Sequence, residues 1–299
     1  MKDLHCDSPK ISASSFEEYT ERRGTSSYKW DDIPGAAQVP GVLPFWVADM
    51  DFPCPPKVRE ALEKRARHGI FGYHFRSPEY VSSVRNWILN RHKWKVPEEL
   101  LVFTPPGVVY AIDLLVRQLT KPGDPVLIHT PAYTPLLETV VLNERKVVAS
   151  PLVYSKKDSR FHMNFEDMEE KIRKHSIRFM LFCSPHNPTG RVWSREELLK
   201  IEAITSRHDI TVLSDEIHGD LIYPGERHIP FGSLSAYTLE KGITIFSATK
   251  SFNLGGLQGA TVITGNPEIR RNLSRTLQAA QTRLDNIFGA VATQTAYET

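Results

Sequence analysis

The chain has 299 residues, 40% apolar and 24% charged, an ordinary composition for a globular protein and not that of a disordered one. Its 37 basic and 35 acidic side chains leave a formal charge of +2 with no long run of one sign, which argues against a dedicated nucleic-acid surface. Cys6, Cys54 and Cys183 have no spacing suited to a disulfide framework or a zinc site, the first ten residues lack a signal-peptide core, and no apolar stretch approaches the ~18 residues of a membrane span. The expected location is therefore the cytoplasm, with no metal, membrane or nucleic-acid partner.

Residues 1–40 are polar and punctuated by Pro34, Gly35, Pro40 and Gly41, which reads as an arm with one short helix near 15–22. An apolar run then meets Asp49 and Asp51 and stops in a proline cluster at 53–56, punctuation of the kind found where a chain crosses between domains. Val58, Leu62 and Ala66 predict a helix over 57–68; Phe71 to His74 form a glycine-broken loop; Tyr80, Val84, Trp87, Ile88 and Arg91 predict a helix over 78–94.

From residue 100 the rhythm becomes strand, turn, helix. Strands are expected at 100–104, 126–129, 146–152, 178–183, 210–213 and 243–246. Helices are expected at 108–119, 136–143, 165–174 and 194–208, the last with a capping box formed by Ser194 and Glu197. From Pro267 the pattern is helical to Thr299. The alternation predicts an α/β protein with a largely parallel sheet, and in such sheets ligands collect at the carboxyl ends of the strands.

Those strand ends carry the residues able to do chemistry. Gly107, Val108 and Val109 open a helix directly after a strand, so their amides could hold a phosphate, or form an ordinary strand-to-helix turn. Tyr133 suits a ring stack or a core edge equally. Asn187, between His186 and Pro188, offers a fixed amide or a plain Asx-turn. Asp215 follows an apolar strand and invites a cationic partner, with an ordinary cap as the alternative; His218 fits a ligand or a satisfied buried histidine. Lys250 stands after the strand 243–246, preceded by Ser247 and Thr249 and followed by Gly255, Gly256 and Gly259, a setting for a Schiff-base nucleophile as well as for a surface charge.

Taken in order, these residues resemble the fold-type I pyridoxal-phosphate enzymes, the aspartate aminotransferase superfamily, over roughly 45–299. The stretches WVADMDF (46–52), SPHNPTGRVW (184–193), SDEIHGDL (214–221) and SATKSFNLGGLQ (247–258) are similar to the MalY/PatB group of cystathionine β-lyases and C-S lyases. The resemblance implies a three-layer sandwich with a mostly parallel sheet and an incomplete small domain: an arm with part of the small domain at 1–52, a large pyridoxal-phosphate domain at 53–285, and at 286–299 the start of a connection to a mostly missing C-terminal domain.

It also implies a role for each position. Lys250 would carry the cofactor covalently and act as the base; Asp215 would face the pyridine nitrogen; Asn187 would bond the phenolic oxygen, with His218 where transaminases commonly have a tyrosine. Tyr133 and Ile217 would flank the ring. The phosphate would rest on Gly107, Val108, Val109, Ser247 and Thr249, and Tyr73 would reach the site of a neighbouring subunit, hence a homodimer acting on a small amino-acid substrate. Gln258 stands where many transaminases have an arginine. The implied activity is α,β-elimination from cystathionine or related cysteine S-conjugates. An aminotransferase of class I/II, or an inactive truncated remnant that only binds cofactor or a subunit, are the alternatives.

Overall fold

Six strands that run one way and a seventh that runs against them form the frame on which the site is built. A computed structural model describes residues 19–32 and 41–299. Chain order begins with α1 (Tyr28–Asp31), α2 (Pro56–His68), α3 (Pro78–His92), β1 (Leu101–Thr104) and α4 (Val108–Leu119). It continues through β2 (Pro125–Thr130), α5 (Thr134–Leu142), β3 (Lys146–Pro151) and a small hairpin, β4 (Val153–Ser155) with β5 (Arg160–His162). Then come α6 (Phe165–His175), β6 (Phe179–Cys183), α7 (Arg195–Arg207), β7 (Thr211–Asp215), α8 (Ala236–Lys241), β8 (Gly242–Phe246) and α9 (Ala248–Ser251). The last elements are β9 (Ala260–Ile263), α10 (Pro267–Ala279) and α11 (Ile287–Glu298).

The sheet order is β1-β9-β8-β7-β6-β2-β3, parallel throughout except that β9 runs antiparallel to both of its neighbours. Alternating strand residues point to opposite faces. Phe179, Leu181, Ile243 and Ile245 pack under α4, α5 and α10, whereas Met180, Phe182 and Val212 pack under α6 and α7. A third cluster joins Phe246 and Ile263 to α2, α3 and α11. The result is the expected α/β sandwich, a mostly parallel sheet between helical layers.

Local signals explain most boundaries. Ser194 and Glu197 form the predicted reciprocal capping box at α7, and α6 has acids in its first turn and bases in its last, which suits its dipole. Two expectations need correction or fall away. The helix near 15–22 lies partly outside the described residues, and 19–22 are not helical. The uninterrupted C-terminal helix is two helices: Gln281, at φ +58°, closes α10, and Asn286 caps α11 by accepting the amides of Phe288 and Gly289. The β4–β5 hairpin, α8 and β9 are additional to the predicted elements.

Helix α11 comes close to the turn 255–257 that follows the candidate lysine: a methyl group on Gly289 would lie 2.5 Å from the Leu257 carbonyl oxygen. Gly289→Ala is therefore expected to destabilise the chain by about 1–3 kcal/mol through overpacking. Gly72, with nothing within 4 Å of an added methyl, should tolerate the same change within about 0.5 kcal/mol. Thermal unfolding of the two variants checks the contrast.

Candidate active site

Strand register brings the candidates together. Cys183 pairs with Asp215, and Asp215 with Ile245, so β6, β7 and β8 end side by side. Asn187 lies four residues beyond Cys183, and Lys250 five beyond Ile245. The turn after β6 is fixed by Gly190 N–H donating to His186 O (2.7 Å) and His186 N–H to Arg191 O (2.8 Å). Asn187, His218 and Ala48 line one cavity of about 510 Å³, whose outer wall includes Phe161 of the hairpin, Arg191 and Tyr223.

Asp215 is 5% exposed, and its Oδ1 accepts the Ile217 N–H at 3.3 Å. Burial pushes this carboxyl up to about 6 against the pull of Ile217 and Lys250. Burial likewise depresses the Lys250 amine, although Asp49 and Asp215 act to raise it. Lys250 Nζ donates to Ala48 O at 3.3 Å. His218 is held neutral, its pKa lowered to about 4 by burial and then by Lys250. A buried acid and a depressed amine within each other's field form a site for a cationic ring beside a proton acceptor.

Tyr133, the N-terminal boundary of α5, is partly exposed and feels the Asp215 charge, while Ile217 is buried. Across the site, no side chain caps α4, so its first-turn amides at Val108 and Val109 are turned to the helix end. The Gly107 N–H donates to Thr104 O (3.0 Å), so Gly107 contributes shape: its φ of +100° admits glycine readily, and its Cα faces Gly259 N. Ser247 Oγ donates to Gly259 O at 2.7 Å and lies 2.9 Å from Thr249 Oγ1. An anion can sit at this helix end beside the two hydroxyls. The set thus suits a flat cationic heteroaromatic ring bearing a phosphate. Tyr73 does not join it: that side chain is 99% exposed.

Several contributors were not singled out in the sequence. Arg22 binds Asp49 Oδ2 at 2.6 Å and Asp51 Oδ1 at 2.8 Å, and Lys29, only 4% exposed, binds Asp51 Oδ2 at 2.7 Å and Asp49 O at 3.0 Å. Asn253 clamps the same segment, accepting Met50 N–H (3.0 Å) and donating to Met50 O (3.0 Å) and Phe52 O (2.7 Å). The acid pair in WVADMDF was the only signal, and it named no partner. Among the described residues no group of three or more His, Cys, Asp or Glu could hold a metal ion, and no helix is long and apolar enough to cross a membrane.

Comparison with known proteins agrees with this geometry. The profile of aminotransferase class I and II matches residues 40–295. The chain belongs to that family. Cystathionine beta-lyase PatB of Bacillus subtilis is 41% identical over 283 residues, 95% of this chain and 72% of the relative. Protein MalY of Escherichia coli is 33% identical over 256 residues, 85% of this chain and 64% of its own length. Among solved structures of the family's fold, cystalysin from Treponema denticola, which contains a pyridoxal 5'-phosphate cofactor, superimposes with a TM-score of 0.87 at 34% identity, over 94% of this chain and 71% of that one. The chain therefore spans about two thirds to three quarters of these relatives.

The Asp215 environment sets a pH-dependent stability. A carboxyl raised from 3.8 to about 6 keeps its proton longer in the folded state, so stability is lost as pH rises through that window. Asp215→Asn removes the buried charge and should stabilise the cofactor-free chain above pH 6 by up to about 3 kcal/mol, at roughly 1.4 kcal/mol per unit. His129, His186 and His218, each lowered to about 4 by burial, act oppositely: stability falls as pH drops from 6.5 toward 4. Denaturant unfolding of both proteins between pH 4 and 8 measures the two slopes.

Proposed function

We propose that this chain is a pyridoxal-phosphate-dependent C-S β-lyase, which cleaves cystathionine or related cysteine S-conjugates to a thiol, pyruvate and ammonia. The observation that carries the reading is the pairing of buried Asp215 with the depressed Lys250 amine at adjacent strand ends, beside His218, which feels the lysine charge and lines a cavity with Asn187. The names of PatB and cystalysin support the reaction class and the cofactor.

In this reading Asp215 would face the pyridine nitrogen, Asn187 the phenolic oxygen, and Tyr133 and Ile217 the two ring faces, with His218 beside the lysine. The first-turn amides of α4 at Val108 and Val109, shaped by Gly107, would hold the phosphate together with Ser247 and Thr249. Bound there, the cofactor supplies an electron sink for the carbanion formed at the substrate α-carbon. Lys250, its amine depressed by burial, takes the α-proton. Asp215 keeps the facing nitrogen protonated, because a cation beside a buried carboxylate offsets its desolvation. As the Cα–H bond breaks the electron pair expels sulfur from Cβ, the thiolate leaves and takes a proton, and the enamine left behind is hydrolysed to pyruvate and ammonia. Reprotonation by the same lysine at another carbon would give amino transfer instead, so the reaction class rests on the likeness to the lyases.

The same proposal includes a homodimer and a cytoplasmic location. Ile70, Phe71, Tyr73 and Phe75 are all exposed on one short segment, an apolar patch suited to a second copy of the chain, with Tyr73 reaching that copy's phosphate site. Cys54 and Cys183 are free thiols, in keeping with a reducing compartment. The division into an arm at 1–52, a cofactor domain at 53–285 and a connection from 286 belongs to this reading too.

Incubation of the purified chain with pyridoxal phosphate and L-cystathionine tests it. The expected outcome is a visible absorbance band that Lys250→Ala abolishes, with pyruvate released; turnover should fall at least 10³-fold in that variant, as when a base and nucleophile are lost together. Transfer of the amino group to a 2-oxo acid without pyruvate would make the chain an aminotransferase. A band without turnover would leave a cofactor-binding remnant, and no band at all would overturn the cofactor assignment. Sedimentation of Tyr73→Asp against the wild type tests the dimer: the charged variant should shift to monomer.

A further inference from the structure

We propose that Asp220 is a positioning residue that fixes the direction of the Lys250 side chain through the Ser251 hydroxyl. The inference rests on the reading of Lys250 as the cofactor lysine and extends it to a group outside the site itself. Helix α9 is a single turn, Ala248–Ser251, closed by Phe252 N–H to Ala248 O (3.0 Å) and Leu254 N–H to Thr249 O (2.9 Å). One turn does not hold its own orientation, since a helix this short pays nucleation with almost no propagation. The direction has to come from outside.

Ser251, the residue after the lysine, donates from Oγ to Asp220 Oδ2 at 2.7 Å. Asp220 stands five residues after Asp215 and two after His218, so one loop carries the acid of the site and the anchor of the lysine turn. The carboxylate is itself fixed from α3. Trp87 Nε1 lies 3.2 Å from both oxygens, His92 Nε2 lies 3.1 Å from Oδ1, Arg91 Nε lies 3.6 Å from Oδ1, and Arg91 Nη2 donates to the Asp220 carbonyl at 2.6 Å. Its side chain is 11% exposed. Burial alone would push this carboxyl up; His92, Ser251 and Trp87 outweigh that and hold it below the usual range.

The packing continues the grip. Trp87 contacts the ring of Phe252, directly after the lysine turn, at 5.3 Å between centroids, and stacks on Tyr297 of α11 at 5.3 Å. His92 stacks on Phe246 at 5.0 Å, the last residue of β8. Both ends of the segment 246–252 are therefore set against α3, and the Ser251 hydroxyl ties the residue after the lysine to the loop after β7. A base displaced by as little as an ångström loses rate steeply, which is what such an anchor prevents.

Asp220→Asn, Ser251→Ala, Ser251→Thr and the double variant of the first two decide the matter, each loaded with pyridoxal phosphate. Ser251→Ala and Asp220→Asn should each lower kcat about tenfold with KM within about twofold, and should speed loss of the visible band to an apo-protein trap by a similar factor. Because the two act through one bond, the double variant should be no worse than the worse single one, and Ser251→Thr, which keeps the hydroxyl, should recover to within about twofold. Off-rate and rescue do not depend on turnover by the wild type. If Asp220 is only structural, the variants will lower the thermal midpoint while leaving kcat and band loss at wild-type values, and the inference fails alone. If Lys250→Ala keeps the wild-type band, or the wild type forms none, the cofactor reading fails and this one with it.

Discussion

The hydrogen-bonded register of three parallel strands is the constraint on which the rest depends. With Cys183, Asp215 and Ile245 held side by side, the loops that follow have only four or five residues in which to deliver Asn187 and Lys250 to the same space. A slip of one residue would turn Asp215 from the sheet end into the helix layer, since neighbouring strand residues face opposite ways. All five residues of β6 and all five of β8 are buried, so both faces of these strands are covered by helical layers.

Desolvation then decides the chemistry of what the register collects. Asp215 is pushed up and Lys250 down by the same loss of water, so the two drift toward neutrality although their charges attract. The pair is poor at stabilising the fold, a cost common at functional sites. Elsewhere the chain treats buried charge differently. Asp49 and Asp51 are covered by Arg22 and Lys29, and Glu216, fully buried, receives Ser214 Oγ (2.8 Å) and Phe231 N–H (2.8 Å) and lies 2.6 Å from His228 Nε2. Asp51 and Glu216 have donors on both carboxylate oxygens, whereas Asp215, one residue before Glu216, receives the Ile217 amide at Oδ1 alone among the hydrogen bonds of the described residues.

The contrast also explains what the sequence could reveal. Short apolar runs ended by turn residues mark β1, β2, β6, β7 and β8, and α4 is bounded as its pattern predicts, at Val108 and Leu119. Residues at strand ends become legible together because topology maps chain order onto sheet position. Contacts between distant elements carry no such rule. Trp87 and Asp220 are 133 residues apart, Lys29 meets an acid 22 residues on, and nothing in local periodicity pairs them. The hairpin β4–β5 and strand β9 are three or four residues long, below the length at which alternation is distinguishable from chance. The break between α10 and α11 is not legible in the sequence because Gln281 in the left-handed region is an uncommon helix stop, outside the glycine rule.

The anion end of the site is built with less charge than the ring end. Gln258, at φ +59°, occupies the place next to Gly107 where the resemblance to transaminases leads one to expect a guanidinium. What remains is the α4 terminus, equivalent to about half a positive charge, and two hydroxyls. A hydroxyl has one proton to give, and that of Ser247 is engaged by the Gly259 carbonyl, which leaves Thr249 as donor within the pair. A phosphate arriving there has to draw at least one of these protons away from a protein acceptor, so part of its binding free energy is spent on rearrangement. Under the proposed assignment, retention of the ligand would depend more on the covalent hold of Lys250 and on the Asp215 contact than on the phosphate grip, which would make the direction of the lysine turn matter more here than beside an arginine.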